Sequence, residues 1–542
     1  MLARAPQEAV AVTFENVDLT YEQLLQQVGS VAGSLKHLGL REGDRLGIWL
    51  PNTPRWLILH LACASIGIAT LSLNLKLGVK ELVNFIDRSQ CKALAFDQSI
   101  INTHSSTHDE GFNCLQAVWQ QHAGSIRLLI DASNNTLDNN NSSNLLNELL
   151  LDKSTHPLPI ITIWNNTQNI TIDWAQYNNK LASRPCSILS SSGTTSIPKL
   201  IVHSQSNVAL HAQDAAQGFA VDNNCNILLA LPMCGAFGYT VTMMTLAAGA
   251  KLVLQETFSP LEATNILEQE AITHMFGTND MVEKMIDSLA QSWHPRALRF
   301  FGHANFVPGL DELPARAQAL SIPMVGCFGM SEIFALFAHQ DPAAALPRRA
   351  QSGGFPVSKS AQVRVRVIET GELAAPMEPG ELEFYTPNMM QEYLDEPQAT
   401  AKAFTADGFL RSGDLGYLNE DGGFTHISRL GDVLRLGGFL VNPSEIEEAV
   451  LLQTGAIACQ VVAVNASGSS RPVAFVVLAD GQAIDQEFVK TQLQRQIARY
   501  KVPIRIFSVD SFPYTMSPNG MKVRRNELRD LAQSLLIQEN SK

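Results

Sequence analysis

From Thr20 to Leu75 the chain alternates helical and strand-like apolar spacing, and this limits the fold more than any other feature. Thr20-Tyr21-Glu22-Gln23 reads as a capping box, in which a hydroxyl and a Gln three residues on satisfy each other's exposed amides. Leu24, Leu25, Val28, Val31, Ala32 and Leu35 then recur at helical spacing, and Gly39 suits the C-terminal stop. Arg45 to Leu50 reads as a strand. A second helix follows Pro51-Asn52, and the later part of Leu57 to Leu75 alternates as a buried strand. Helices alternating with strands build a largely parallel α/β sheet.

At 542 residues the chain exceeds one compact core, and domains of roughly 100 to 200 residues predict three or more folded units. From about Val363 short β-rich runs appear (VRVRVIE, GELEFY) with Gly and Pro between them, which predicts a strand-dominated subdomain over about 350–428. After Arg429 the pattern reads helix Ser444 to Leu452, strands Cys459 to Val464 and Val473 to Leu478, helix Asp485 to Arg499 and strand Ile504 to Ser508. The expected fold is α/β: a large N-terminal region over 1–430 containing the β-rich subdomain, then a small α+β domain over 431–542. Between Asp131 and Asn147 the Asn- and Ser-rich composition cannot offset its ordering entropy, and an exposed loop is expected.

Hydrophobic residues make up 45% and charged ones 17%, which is ordinary globular usage and argues against disorder throughout. A formal net charge of -13 argues against a general nucleic-acid binder, whose affinity rests on Lys and Arg neutralising phosphates. The eight cysteines lack CxxC or Cys/His spacing, so neither a zinc site nor a disulfide framework is indicated, and a reducing cytoplasm fits. The N-terminus has no continuous apolar stretch of the signal-peptide kind, and a mature start near Met1 is expected. Leu57 to Leu75 and Asn223 to Ala250 both carry polar, Gly or Pro interruptions that disqualify them as membrane spans. Oligomeric state has no signature in the sequence.

The strongest local signal is Ile188-Leu-Ser-Ser-Ser-Gly-Thr-Thr-Ser-Ile-Pro-Lys199, an apolar strand running into a hydroxyl-rich, glycine-containing loop with a lysine. Backbone N–H groups, hydroxyls and a cation together suit polyphosphate oxygens. The common P-loop requires Gly-Lys-Ser/Thr, whereas Lys199 is flanked by Pro198 and Leu200.

This loop resembles the phosphate-loop signature of the adenylate-forming superfamily, which holds acyl-CoA synthetases, peptide-synthetase adenylation domains and luciferases. Further motifs follow in that family's order. Phe328-Gly-Met-Ser-Glu332 resembles its aromatic-Gly-x-Thr-Glu element, and Arg411-Ser-Gly-Asp414 its ribose-binding Gly-Asp. Ser428-Arg429-Leu-Gly-Asp432 is similar to the segment linking the family's two domains. Ser517-Pro-Asn-Gly-Met-Lys522 resembles the C-terminal segment that supplies a catalytic lysine. The likeness runs from Thr20 to Arg529.

The resemblance implies ATP, Mg2+ and a thiol acceptor, either coenzyme A or the phosphopantetheine of an acyl carrier protein. A carboxylate attacking the α-phosphate of ATP is anion meeting anion, so charge must be neutralised first. Implied catalytic residues are Lys522, Glu332 and Thr194. Glu332 and Thr194 would also hold the metal, since a hard cation takes oxygen ligands. The implied nucleotide site comprises Ser191, Ser192, Gly193, Thr194, Thr195 and Lys199 at the phosphates, with Gly302, His303, Ala304, Phe328, Gly329, Met330 and Ser331 around adenine. The resemblance further implies that Asp414 would accept the ribose hydroxyls and Arg429 donate to ribose or phosphate. An extra residue precedes Lys522 relative to the family's usual Ser-Gly-Lys, which keeps Arg524 and Arg525 as rival cations.

The family turns its small domain between adenylation and thiol transfer, which makes 431–542 the mobile domain and Gly431 the hinge. Arg435, Gly437 and Gly438 then align with the pantetheine approach, where a glycine pair can equally form a turn. The acyl pocket aligns with Cys234, Gly235, Ala236, Phe237 and Gly238, and with Ile333, Phe334, Ala335 and Leu336. Neither segment offers a carboxylate for a substrate ammonium, which points to a hydrophobic acid, fatty or aryl. Two other readings stand beside acyl-CoA synthesis: loading of a carrier protein, and a non-catalytic nucleotide-binding relative.

Overall fold

A computed structural model describes residues 5–97, 126–132, 160–161, 181–190, 198–289, 294–305, 310, 312–436, 439–466, 469–479, 481–517 and 520–540. The Asn-rich stretch lies outside them from 133 onward. The chain divides into two compact units, one of residues 1–304, 313–362 and 385–404, the other of 305–312, 363–384 and 405–542.

The first unit opens as its sequence dictates. Gln23 Oε1 accepts from the Thr20 amide at 2.8 Å and Thr20 Oγ1 accepts from the Gln23 amide at 3.2 Å, which starts the helix Tyr21–His37. Leu24, Val28, Val31, Ala32 and Leu35 are buried along one face. Gly39 takes a φ of +85°, a backbone that side-chain-bearing residues avoid. The strand Arg45–Trp49, the helix Pro54–Ser65 and the strand Ala69–Ser72 follow.

These strands enter one sheet in the order Glu392–Tyr393, Leu200–Ser204, Pro185–Ser190, Ala69–Ser72, Arg45–Trp49, Ala93–Phe96, Leu128–Asp131, Ile160–Ile161. Pairing is parallel from Pro185–Ser190 through to Ile160–Ile161 and antiparallel at the two strands before it. A second sheet repeats the alternation: Asn226–Leu229, His274–Thr278, Phe300–Ala304 and Met324–Met330 lie side by side in parallel. Helices Ala236–Ala248, Pro260–Gln269, Asn279–Asp287 and Leu313–Ala319 make the connections. Phe334–His339 then returns antiparallel to Met324–Met330. Asn223 to Ala250 is accordingly strand, loop and helix. No helix among the described residues is long and apolar enough to cross a membrane.

In the second unit the strands Gln362–Arg366, Gly380–Tyr385, Leu410–Leu418 and Phe424–Arg429 lie in that order. Buried Glu383 accepts from Arg364 Nε at 2.6 Å and Arg366 Nε at 2.7 Å, so its charge is compensated. The C-terminal part pairs Ala458–Ala466 antiparallel with Ser469–Val477, and the latter parallel with Arg505–Ser508. Alternate side chains serve opposite faces. Cys459, Val461, Ala474 and Val476 pack with the helices Pro443–Thr454 and Gln486–Gln496, while Val462, Val464, Val473 and Phe475 pack with Phe512, Leu528 and Ala532. The α/β architecture with a strand-rich portion and a smaller α+β portion is the one expected.

Candidate active site

In an open parallel sheet, ligands gather beyond the carboxyl ends of the strands, where loops diverge. The strip Gly302-His303-Ala304 closes one strand, and its neighbour ends at Phe328-Gly329-Met330, with Gly302 beside Val325 and His303 beside Gly326. The two implied adenine segments therefore sit at the same end of adjacent strands. Phe328 is buried, and Gly329 is sterically required: a Cβ there would lie 2.2 Å from the Ala335 carbonyl oxygen. Gly302 is similarly confined, its added Cβ meeting the Phe276 ring at 2.5 Å.

Ser331 and Glu332 occupy the turn between Met324–Met330 and Phe334–His339. Glu332 is buried, its Oε1 accepts from the Tyr393 hydroxyl at 2.9 Å, and its backbone oxygen accepts from the Met390 amide at 2.7 Å. Lys199 Nζ lies 4.1 Å from the centroid of the same Tyr393 ring. Arg88 braces this corner, donating to the Pro198 carbonyl at 2.6 Å and to Glu396 at 2.8 Å. Ser191, Ser192, Gly193, Thr194 and Thr195 lie outside the described residues.

No group of three or more His, Cys, Asp or Glu among the described residues could enclose a metal. Magnesium does not need one, being bound by one or two carboxylates with substrate phosphates and water. Glu332 fits that pattern, because the Tyr393 bond engages Oε1 and Oε2 takes no bond among the described residues.

The acyl segments are brought together. Gly235 caps the buried helix Ala236–Ala248, and Thr240 Oγ1 of that helix accepts from the Ala335 amide at 3.4 Å. Cys234, Phe237, Ile333, Phe334 and Leu336 are buried, and burial pushes the Cys234 thiol up to about 12. Gly238 is packed against backbone, with an added Cβ 2.3 Å from the Pro232 carbonyl oxygen. Asn52 fixes this segment, donating to the Leu231 carbonyl and accepting from the Met233 amide, each at 2.8 Å. Phe334 holds a φ of +67°, rare for a bulky side chain. His203 stacks on it at 4.0 Å and His211 at 4.7 Å between ring centroids, and His203 Nε2 hydrogen-bonds the Ser331 carbonyl at 2.7 Å. Burial pushes His203 down to about 4, and burial with the His203 charge pushes His211 down to about 3, so both rings are neutral at pH 7. No charged side chain stands in either acyl segment.

The remaining candidates belong to the second unit. Asp414 and Arg429 face each other across Leu410–Leu418 and Phe424–Arg429, with Arg429 Nε 3.0 Å from Asp414 Oδ1. Asp414 is almost fully buried whereas Arg429 is 45% exposed, so the arginine is the one able to turn toward solvent. Gly431 follows in an open turn, where an added Cβ would meet nothing within 4 Å. Gly437 and Gly438 lie outside the described residues, and of Arg435 only the backbone, in Leu434–Leu436, is described. Lys522 sits opposite Thr515 on the hairpin of Tyr514–Ser517 and Gly520–Val523, its backbone alone being described. The rival cations are engaged with carboxylates. Arg525 contacts buried Glu447 at 2.7 Å and Asp432 at 3.8 Å, and Arg524 contacts Glu527 at 2.6 Å.

Tyr393, Asn52, His203, His211 and Arg88 carry no motif in the sequence that marks them as part of this site. Nothing in the spacing links position 393 to 332; that link comes from the pairing of Glu392–Tyr393 with Leu200–Ser204.

The model of the AMP-binding enzyme family matches residues 2–394, and that of the AMP-binding enzyme C-terminal domain matches 445–518. The human mitochondrial medium-chain acyl-CoA ligase ACSF2 is 28% identical over 548 residues, covering 97% of this chain and 85% of that protein. The 2-succinylbenzoate–CoA ligase of Bacillus velezensis is 25% identical over 539 residues, covering 97% and 96%. Among solved structures, the O-succinylbenzoate coenzyme A synthetase of Bacillus subtilis in complex with ATP and magnesium ion superposes with a TM-score of 0.76 at 20% identity, covering 97% of this chain and 98% of that one.

Proposed function

Because the chain belongs to the AMP-binding enzyme family, a branch of the adenylate-forming superfamily, we propose that it is an AMP-forming acid–thiol ligase acting on a hydrophobic acid, fatty or aryl. In the first half-reaction a carboxylate oxygen bonds to the α-phosphorus of ATP and pyrophosphate leaves, giving an acyl-adenylate. In the second, the thiol sulfur of coenzyme A bonds to the acyl carbon and AMP leaves. Relatives covering nearly the whole chain, named for ligation of acids to coenzyme A, support that acceptor over a carrier protein.

The observation that carries the reading is the gathering of Gly302–Ala304, Phe328–Glu332 and the uncharged acyl segments around the ends of adjacent strands. Bound magnesium would supply positive charge at the polyphosphate, held by Glu332 with Thr194. Lys199 serves the phosphates, and Asp414 and Arg429 the ribose. Lys522 places a cation on the oxygens that gain charge during adenylation. Gly431 is the pivot of the mobile 431–542 domain, and Arg435, Gly437 and Gly438 receive the thiol arm. Cys234–Gly238 and Ile333–Leu336 carry no counter-charge for a buried ammonium, which supports a hydrophobic acid over free amino acids. Free, buried cysteines suit a reducing compartment, for which we propose the cytoplasm.

Supplying purified enzyme with ATP, a hydrophobic acid and either coenzyme A or a holo carrier protein tests the acceptor. Thioester should accumulate on coenzyme A; thioester on the carrier alone would replace this reading with carrier loading.

A further inference from the structure

We propose that Tyr393 is a positioning residue that couples the carboxylate Glu332 to the phosphate-loop cation Lys199, one group setting both the metal ligand and the lysine. The inference rests on the adenylating reading above. Its basis is the geometry of one buried side chain with two different faces at work.

The phenol edge faces Glu332, donating its proton to Oε1 at 2.9 Å. A glutamate has several rotatable bonds, and a buried carboxylate fixed through one oxygen presents the other in a set direction. The Met390 amide, three residues before Tyr393, holds the Glu332 backbone oxygen at 2.7 Å, so one short segment grips this residue by main chain and side chain together. The flat ring face serves Lys199, whose ammonium stands 4.1 Å from its centroid, within cation–π range. Lys199 immediately precedes the strand Leu200–Ser204, to which Tyr393 is paired through Ile201. The Leu394 amide donates to the Leu200 carbonyl at 2.8 Å, which closes that end of the pairing.

The main chain of Tyr393 is itself held in place. Its amide donates to Thr400 Oγ1 at 2.9 Å, its carbonyl accepts from the Glu396 amide at 3.0 Å, and Arg88 ties Glu396 to the Pro198 carbonyl. These bonds hold the Tyr393 main chain at the point from which its ring reaches both Glu332 and Lys199. Partners behind a metal ligand typically carry about 10- to 100-fold in metal affinity.

The two faces separate by substitution. Tyr393→Phe keeps the ring under Lys199 and removes the proton donated to Glu332, whereas Tyr393→Leu removes both. ATP binding is measured by titration calorimetry on the full chain with Mn2+ and with EDTA, and bound Mn2+ by electron paramagnetic resonance. Tyr393→Phe should weaken Mn2+-dependent ATP binding by about tenfold or more and leave binding in EDTA unchanged. Tyr393→Leu should lower both. Equal loss with and without metal in Tyr393→Phe, or no loss in either, overturns the coupling. Should Tyr393→Leu fail to fold, Tyr393→Met, which also lacks the ring, takes its place for the Lys199 face, and unchanged binding in EDTA there overturns that half of the coupling. A wild-type chain that binds no ATP defeats the adenylating reading and this inference with it. Wild-type binding with an unaltered Tyr393→Phe defeats the inference only.

Discussion

At Gly329 a single added carbon should convert into a functional loss. An alanine Cβ would stand 2.2 Å from the Ala335 carbonyl oxygen, 2.3 Å from its carbonyl carbon and 2.4 Å from the Phe334 carbonyl oxygen. Atoms essentially never approach a Cβ within 3.0 Å, so the returning strand must withdraw by roughly 1 Å. All three obstacles are main chain, and no rotamer change relieves them. The displaced hairpin is the one that carries Phe328 on one side, Phe334 on the other and Glu332 at its turn. Overpacking of this kind costs about 1 to 3 kcal/mol in stability. A displacement near 1 Å can cost about 100-fold in rate. Gly329→Ala should therefore melt detectably lower and lose about two orders of magnitude in ATP–pyrophosphate exchange while still folding. Exchange and melting both at wild-type levels would show that the hairpin has slack and that its spacing does not govern the site.

Lys522→Ala should abolish adenylation, at a cost of about 3 kcal/mol or more, while thioester formation from supplied acyl-adenylate persists; equal loss of both half-reactions refutes the two-conformation assignment. Gly431→Pro should slow at least one half-reaction in single-turnover assays, and unchanged kinetics in both would count against the hinge. His60, His203 and His274 are held down to about 4 and His211 to about 3, chiefly by burial. Each folded value lies below the unfolded 6.5, so the stability from neutral burial is complete above pH 6.5 and is lost as pH falls toward 4. Urea midpoints should drop between pH 7 and pH 5, less steeply in a His203→Gln/His211→Gln double variant; identical slopes would sink this assignment.

Features written in contiguous residues were legible. The Thr20–Gln23 capping box, the βαβ alternation, GELEFY as the strand Gly380–Tyr385 and the C-terminal helices and strands need only periodicity and turn chemistry. Phe328–Glu332 carried its own signature. Strand pairing between distant segments was not legible, because it depends on which strands become neighbours in the sheet. Tyr393 reaches Glu332 only because its strand docks on Leu200–Ser204, and Asn52 reaches Leu231 and Met233 only after the chain has built the second sheet. The His203–Phe334–His211 stack is hidden for the same reason: periodicity marks those positions as core and says nothing of which rings meet.

ATP–pyrophosphate exchange across a panel of acids, with wild-type enzyme and Mg2+, reads adenylation and the choice of acid in one measurement. Fatty or aryl acids should drive exchange and free amino acids little, because the acyl segments hold no carboxylate to receive an ammonium. Exchange driven best by amino acids, or no exchange with any acid, would contradict the proposed function.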